Sequence, residues 1–69
     1  MTVNEQIKIL CIRNGISLAE LSRKMGLTPQ SLNGKMKRGK FSVCDLEEMS
    51  GVLGCRFERH FVLQNGEKI

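Results

Sequence analysis

The stretch ISLAELSRKMGLTPQSLNGKMKRG, residues 16–39, decides the fold that this sequence predicts. Near its start, Ser17 and Glu20 have the spacing of a capping box, in which each side chain accepts a hydrogen bond from the other residue's backbone. Gly26 then stands where a helix usually ends in a left-handed residue, a conformation that glycine adopts at little cost. Thr28-Pro29 supplies the cap and first-turn proline of a second helix. The stretch therefore predicts two short helices joined by a tight turn.

Apolar residues recur at helical spacing in both helices, which we predict over about 17–25 and 28–38. In the first helix the small residue Ser22 lies within the apolar face, so the second helix can approach closely. In the second helix Leu32 and Met36 lie four residues apart and mark the inward face. At about 100° per residue, the outward face carries Gln30, Gly34, Lys37 and Arg38, with Ser31 and Asn33 on its flanks.

This outward face has the residue types of a helix that reads DNA from the major groove. Amide and hydroxyl side chains near the helix start suit base edges, and the basic side chains beyond them suit phosphates. The alternative is an amphipathic helix whose polar face is merely solvated. The order of cap, helix, glycine, cap and helix favours DNA reading. The candidate DNA-binding residues are Ser17, Thr28, Pro29, Gln30, Ser31, Asn33, Gly34, Lys37, Arg38 and Lys40.

Several residues of this stretch stand at positions that are diagnostic of a known family: Leu21, Ser22, Met25, Gly26, Leu27 and Leu32. On these residues, the run from Ile16 to Leu53 resembles the Cro and lambda-repressor-like helix-turn-helix family. The resemblance implies a compact all-α regulator that binds operator DNA as a dimer. Leu18 departs from the pattern, since many members carry a phosphate-contacting glutamine there. Gly34 also departs from it, at a position where many members place a base-reading side chain, which implies fewer base contacts or a closer approach to the DNA.

The length and the charge distribution limit what this protein can be. Sixty-nine residues form one domain, over 1–69, with a small core and no room for a separate effector-sensing or catalytic domain. The net charge is +4, but residues 28–41 hold only basic charges and residues 42–54 only acidic ones. The basic charges, Lys35, Lys37, Arg38 and Lys40, form a block without a counter-charge and predict an electrostatic footprint for double-stranded DNA.

Cysteine usage and the chain start predict a cytoplasmic protein. Cys11 and Cys44 fall on apolar faces of predicted helices, so we expect buried, reduced thiols. Cys55 and His60 are too few to make a zinc site, and no serine or cysteine stands beside a plausible base. No stretch is long enough to span a membrane, and Met1 leads into a capped helix rather than a signal peptide. We expect no enzyme activity, no cofactor or metal, no membrane association and no small-molecule effector.

The rest of the chain predicts two more helices and a β-hairpin. Capping patterns at Thr2 and Ser42 predict helices over about 2–14 and 42–53. From Cys55 the apolar residues alternate, as in a strand, and Asn65-Gly66 is a strong hairpin-turn signal that places Ile69 opposite Val62. The predicted fold class is mainly α, a compact four-helix lambda-repressor-like helix-turn-helix domain with a C-terminal β-hairpin over about 55–69.

The apolar face of this hairpin has two interpretations, because a lone hairpin is marginal in water. Phe57 and Phe61 could cover the helices of their own chain, or the hairpin could form a sheet across a twofold axis, as in some Cro-like proteins; both can hold. The residues expected at a homodimer interface are Phe57, Arg59, Phe61 and Leu63. The sequence thus predicts a dimeric, sequence-specific DNA-binding regulator of the prokaryotic or phage repressor type. The alternative is a protein-interaction module on a helix-turn-helix scaffold, of antitoxin or anti-repressor type.

Overall fold

Four helices form most of the computed structural model, which describes all residues, 1–69. Each helix begins directly after a serine or threonine whose hydroxyl accepts a hydrogen bond from the N–H three residues further on. These caps are the ones that the sequence predicts, and they satisfy backbone donors that the first helical turn leaves free. The helices are α1 (Val3–Asn14), α2 (Leu18–Lys24), α3 (Pro29–Arg38) and α4 (Val43–Leu53).

All four helices contribute to a single core. Ser22 is fully buried within it, and its hydroxyl donates to the Ala19 carbonyl at 2.6 Å, so this polar group is satisfied inside its own helix. The small side chain lets α3 pack closely against α2, as the sequence predicts. The buried apolar residues are Ile7, Cys11, Leu21, Met25, Leu32, Met36 and Met49.

The turn between α2 and α3 is closed by glycine, as predicted. Gly26 has a φ of +73°, a conformation that residues with a Cβ rarely adopt. The Leu27 N–H donates to the Ser22 carbonyl at 2.8 Å, and the Gly26 N–H donates to the Arg23 carbonyl at 3.1 Å. These two bonds form a Schellman motif, which ends α2 and sets the direction in which α3 begins.

The two exposed cysteines include one that the sequence predicts to be buried. Cys11 is buried, and burial raises the pKa of its thiol. Cys44, by contrast, is exposed. Five positions separate it from the buried Met49, which places the two residues about 140° apart around α4. Cys44 therefore lies on the solvent side of α4.

The C-terminal arm, defined here as residues 55–69, contains neither a helix nor a named strand, and all of its residues are exposed. Its backbone closes at one antiparallel bridge between Val62 and Lys68. The predicted strand that begins at Cys55 is therefore not formed. Two extended segments without a third strand or a covering core are only marginally stable, which explains why the regular pairing stops after one bridge.

No helix in the chain is long and apolar enough to cross a lipid bilayer.

The turn of the arm differs in type from the predicted one. A two-residue turn at Asn65-Gly66 needs both residues at positive φ, and only Gly66, at +87°, has it. The Leu63 N–H instead donates to the Glu67 carbonyl at 2.7 Å, so three residues lie in the loop. The Asn65 side chain accepts from the Glu67 N–H at 2.9 Å and supports this wider turn.

The longer loop changes which residues lie opposite each other. Ile69 exchanges two backbone hydrogen bonds with Phe61, of 2.6 and 2.9 Å, and does not lie opposite Val62 as predicted. A shift by one residue moves each side chain of a strand to the other face. Phe61 and Ile69 consequently share a face, where they border an open hollow beside Val43 at the start of α4.

The arm runs back along α4 and lies beside it at three levels. Phe57 borders an apolar groove between α1 and α4 and is 38% exposed. Further along, Arg59 lies 3.5 Å from a carboxylate oxygen of Glu47. Phe61 then lies near Val43 but stays 77% exposed. Phe57 therefore covers the helices in part, whereas Phe61 is left on the surface.

Candidate nucleic-acid interface

The packing of α3 fixes which of its faces points outward. Leu32 and Met36 are buried, with 1% and 8% of their surface exposed. In the last turns of α3, the Met36 carbonyl accepts a hydrogen bond from the Asn4 side chain of α1 at 2.7 Å. Because α3 is held by its apolar side and by this bond, the residues on the opposite side remain free to meet a ligand.

The predicted DNA-binding residues lie on the outward side of α3 and at its margins. Eight of the ten are exposed, while Pro29 and Gly34 are half-buried. Ser17 caps α2, Lys40 lies in the loop after α3, and the others belong to α3 or its cap. Exposure is what a DNA interface requires, although a solvated amphipathic helix would have it too. The distinction therefore depends on the hydrogen bonds and charges of these residues.

The hydroxyl groups at the starts of α2 and α3 differ in whether their proton is still free to donate a hydrogen bond. The Thr28 hydroxyl accepts from the Ser31 N–H at 3.1 Å and donates to the Ser31 hydroxyl oxygen at 3.1 Å. A hydroxyl has one proton to donate, so that of Thr28 is already used and that of Ser31 is free. The Ser17 hydroxyl accepts from the Glu20 N–H at 3.1 Å and also keeps its proton. Ser17 and Ser31 can therefore each donate to a phosphate oxygen.

Lys35 is not part of the free basic surface. Its ammonium nitrogen lies 3.1 Å from Asp45 Oδ2, and the two side chains are only 29% and 20% exposed. The prediction that the basic block lacks a counter-charge is wrong at this position, because the acidic block that follows in sequence packs against it. Lys37, Arg38 and Lys40 are exposed and form no salt bridge.

Asp45 joins the end of α3 to the start of α4. Its Oδ2 accepts from the Ser42 N–H at 3.0 Å as well as from Lys35. The backbone hydrogen bond from Ser42, followed by the bond from Lys35, holds the pKa of Asp45 below its ordinary value. The carboxylate therefore stays charged at neutral pH and fixes the position of α4 relative to the candidate interface.

The Arg38 side chain folds back over Gly34, one helical turn earlier. A Cβ built at Gly34 would stand 3.3 Å from one terminal nitrogen of the Arg38 guanidinium and 3.7 Å from the other. The guanidinium carbon would be 3.8 Å away, so the three nearest atoms all belong to Arg38. Helical side chains lean towards the N-terminus, which is the direction that this one takes. The missing side chain of Gly34 leaves the space that the guanidinium uses.

The sequence did not reveal this arrangement, although a signal for it was present. Residues four apart are neighbours on a helix, and Gly34 and Arg38 have this spacing. The sequence predicts Arg38 as a phosphate contact and Gly34 as a place of close approach or of a missing base contact. The structure joins the two positions into one feature.

The residues predicted for a dimer interface do not form one continuous surface. Phe57 borders the groove between α1 and α4, and Arg59 faces Glu47. Phe61 lies near the start of α4, and Leu63, 40% exposed, flanks the turn of the arm. They are distributed along the arm, and the largest exposed apolar side chain among them is that of Phe61.

No protein-family model and no solved structure matches this chain. The resemblance to the Cro and lambda-repressor-like family therefore depends on the residues of the Ile16–Leu53 run alone, and the family assignment stays a prediction.

Proposed function

We propose that this protein is a sequence-specific DNA-binding regulator, of the prokaryotic or phage repressor type, that places α3 in the major groove of double-stranded DNA. The observation that supports this most directly is the outward side of α3. It presents amide and hydroxyl groups near its start, basic groups near its end and no acidic residue. Such a side suits base edges at one end and phosphates at the other. The assignment to the Cro-like family and the cytoplasmic location belong to the same proposal.

The start of α3 supplies the base-reading groups. Gln30 is exposed on the outward side, and a glutamine amide can form two hydrogen bonds with an adenine edge. Asn33 and the free hydroxyl of Ser31 lie beside it. Around them, the partial positive charge at a helix N-terminus favours phosphate. Base reading is thus concentrated in the first turns of the helix.

The end of α3 supplies the phosphate contacts. Lys37 and Lys40 are exposed and have no carboxylate partner, unlike Lys35. Exposed basic groups without a partner give affinity for any duplex, and this affinity falls steeply with salt because counterions are released on binding. Two or three such groups make a modest footprint, which is one reason to expect two copies of the chain on an operator.

The proposed regulator is a homodimer that pairs through the C-terminal arm. A single helix-turn-helix unit contacts few base pairs, so two copies on a twofold operator are needed for useful specificity. The arm offers exposed apolar groups at Phe61, Val62 and Ile69 and backbone edges beyond its one bridge. Pairing between the arms of two copies would add backbone hydrogen bonds beyond that bridge. It would complete the predicted β-structure and bury these side chains.

The second candidate function is a protein-interaction module of antitoxin or anti-repressor type. The observation that favours it is the groove between α1 and α4, a hollow of about 180 Å³ with mostly apolar lining. Val3, Leu10, Leu46 and Phe57 border it, and it remains open to solvent. A partner helix or loop could bind there without using α3.

Duplex binding at low and rising salt separates the two functions. The wild-type protein should retard a non-specific duplex at low salt, with a log–log salt slope of about −0.9 for each phosphate neutralised. Replacing Lys37 and Lys40 together with alanine should weaken binding to all duplexes and flatten the slope by up to about 2.

The matched control replaces Lys8 and Arg13 of α1, which are also exposed, and so removes the same charge elsewhere. Its slope should stay close to that of the wild type. If both double variants flatten the slope equally, the phosphate contacts are not localised on α3. If the wild-type protein retards no duplex even at low salt, the interaction module is the better account.

A further inference from the structure

We propose that Arg38 reads a guanine across Gly34, so that one residue supplies the base contact that the missing side chain at position 34 cannot make. This inference rests on the proposed function and deepens it. It moves Arg38 from the phosphate contacts to the base-reading groups, and it explains why a glycine stands in the middle of α3.

The position of the guanidinium is the first support. Its two terminal nitrogens lie 3.3 and 3.7 Å from the point where a Cβ of Gly34 would be. The group therefore occupies the surface of the helix where a side chain at 34 would begin. Gln30 precedes Gly34 by one turn, so Gln30 and the guanidinium follow one row along the outward side. A row of this kind lies along the groove when the helix is docked.

The availability of the guanidinium is the second support. The salt bridges of the chain use Lys35, Arg56 and Arg59, and none uses Arg38. Its planar fork of N–H donors is consequently free, and such a fork matches the O6 and N7 acceptors of guanine with two hydrogen bonds. A lysine in this position would carry the same charge but lacks the rigid planar fork that matches these two acceptors.

The cost of the glycine is the third support. Glycine destabilises a helix interior relative to alanine, and Gly34 has no positive φ that would require it. An alanine methyl group would approach the guanidinium to 3.3 Å, closer than an ordinary contact, so the tip of Arg38 would have to shift by a few tenths of an ångström. Gly34 therefore acts here as a positioning residue for Arg38.

Selection of bound sequences from a random duplex pool tests the assignment, with wild type beside Arg38→Lys, Gly34→Ala and the control Arg13→Lys. The wild-type motif should contain a guanine at one position of each half-site. Arg38→Lys should lower the preference for that guanine about tenfold while binding to random duplex changes little, because the charge is kept. Gly34→Ala should lower it by a smaller factor, since the arginine tip can shift, and should raise the melting temperature of the free protein.

Arg13→Lys makes the same change on α1, at an exposed residue outside the candidate interface, so its motif should equal that of the wild type. A guanine preference that is undiminished in Arg38→Lys overturns the assignment of Arg38, and one that is undiminished in Gly34→Ala overturns the part of the glycine. A wild-type protein that selects no sequence and binds no duplex overturns the proposed function itself. Uniformly weaker binding by Gly34→Ala, with the guanine retained, would instead mean that glycine permits a close approach of the backbone.

Discussion

The helical part of the molecule, residues 3–53, and the C-terminal arm, residues 55–69, satisfy their backbones in different ways. Every helix has a hydroxyl cap at its start, and the bonds that close the helix ends span only a few residues. The arm depends on bonds between two segments that meet at a single bridge, Val62 with Lys68. The helices, whose hydrogen bonds join nearby residues, are fully formed, whereas the strand pairing of the arm stops after one bridge.

The two regions also differ in what covers their apolar side chains. The helices bury seven apolar residues between them. The arm leaves Phe61, Val62 and Ile69 with exposures of 77%, 62% and 67%. Because a strand pair cannot bury its own face, apolar residues in such a segment stay exposed until another surface covers them. The comparison indicates that folding is complete in the helices, while the arm is available for association.

The largest expected effect separates the stability of the two regions. Leu32→Ala should lower the free energy of unfolding by about 2–5 kcal/mol, because a fully buried side chain is lost from a small core. Deleting residues 65–69, which removes the bridge and only exposed residues, should lower it by less than about 1 kcal/mol. Urea unfolding followed by circular dichroism measures both, at a concentration low enough to keep the chain monomeric. A deletion as costly as Leu32→Ala would show that the arm is part of the core.

A second expected effect concerns association through the arm. If Phe61 is buried between two copies, Phe61→Asp should shift the protein towards monomer and weaken operator binding by about tenfold or more, since a charge replaces an aromatic anchor. Sedimentation at micromolar concentration measures the mass. Phe57→Ala is the useful contrast, because Phe57 borders the groove of its own chain and should affect stability more than mass. A wild-type protein that is monomeric even on its operator would contradict the role of the arm.

The smallest expected effect contrasts an ion pair between helices with one between helix and arm. The pKa of Asp45 is lowered in the folded state, so its contribution to stability is present above its unfolded pKa of about 3.9 and is lost as the pH falls through the lower folded value. Asp45→Asn should therefore cost at most about 1 kcal/mol at pH 7, and its difference from the wild type should be smaller at a second, acid pH below the unfolded pKa.

Glu47→Gln is the control for this measurement, because Glu47 and Arg59 are more than half exposed. Such a pair contributes little, so this variant should follow the wild type at both pH values. Urea unfolding at the two pH values gives the differences. A gap between Asp45→Asn and the wild type that stays constant with pH would contradict the role assigned to the carboxylate.

The sequence predicted features that depend on a few consecutive residues. The caps at Ser17 and Thr28 and the left-handed glycine at Gly26 each follow from residue type and spacing, and all three are present in the structure. The start of each helix was therefore accessible from the sequence, to within the one residue that separates a cap from the first helical position.

Features that depend on packing, or on a choice between competing local geometries, could not be predicted from the sequence. The pairing of Lys35 with Asp45 joins two helices, and no periodic pattern in the sequence predicts it. The turn at Asn65-Gly66 can form a two-residue or a wider loop, and the choice between them moves the pairing by one residue. The orientation of Arg38 over Gly34 is a side-chain choice that a helical wheel permits but does not require.

The first turn of α4 has neighbours on two sides. On one side the Asp45 carboxylate holds Lys35 of α3, and on the other Val43 borders the hollow beside Phe61 of the arm. Val43 and Asp45 are two residues apart, about 3 Å of helix rise. In the proposed dimer, a displacement of the arm at Phe61 would therefore act within one helical turn of the carboxylate that holds Lys35. The first turn of α4 would then help to set the spacing of the two α3 helices.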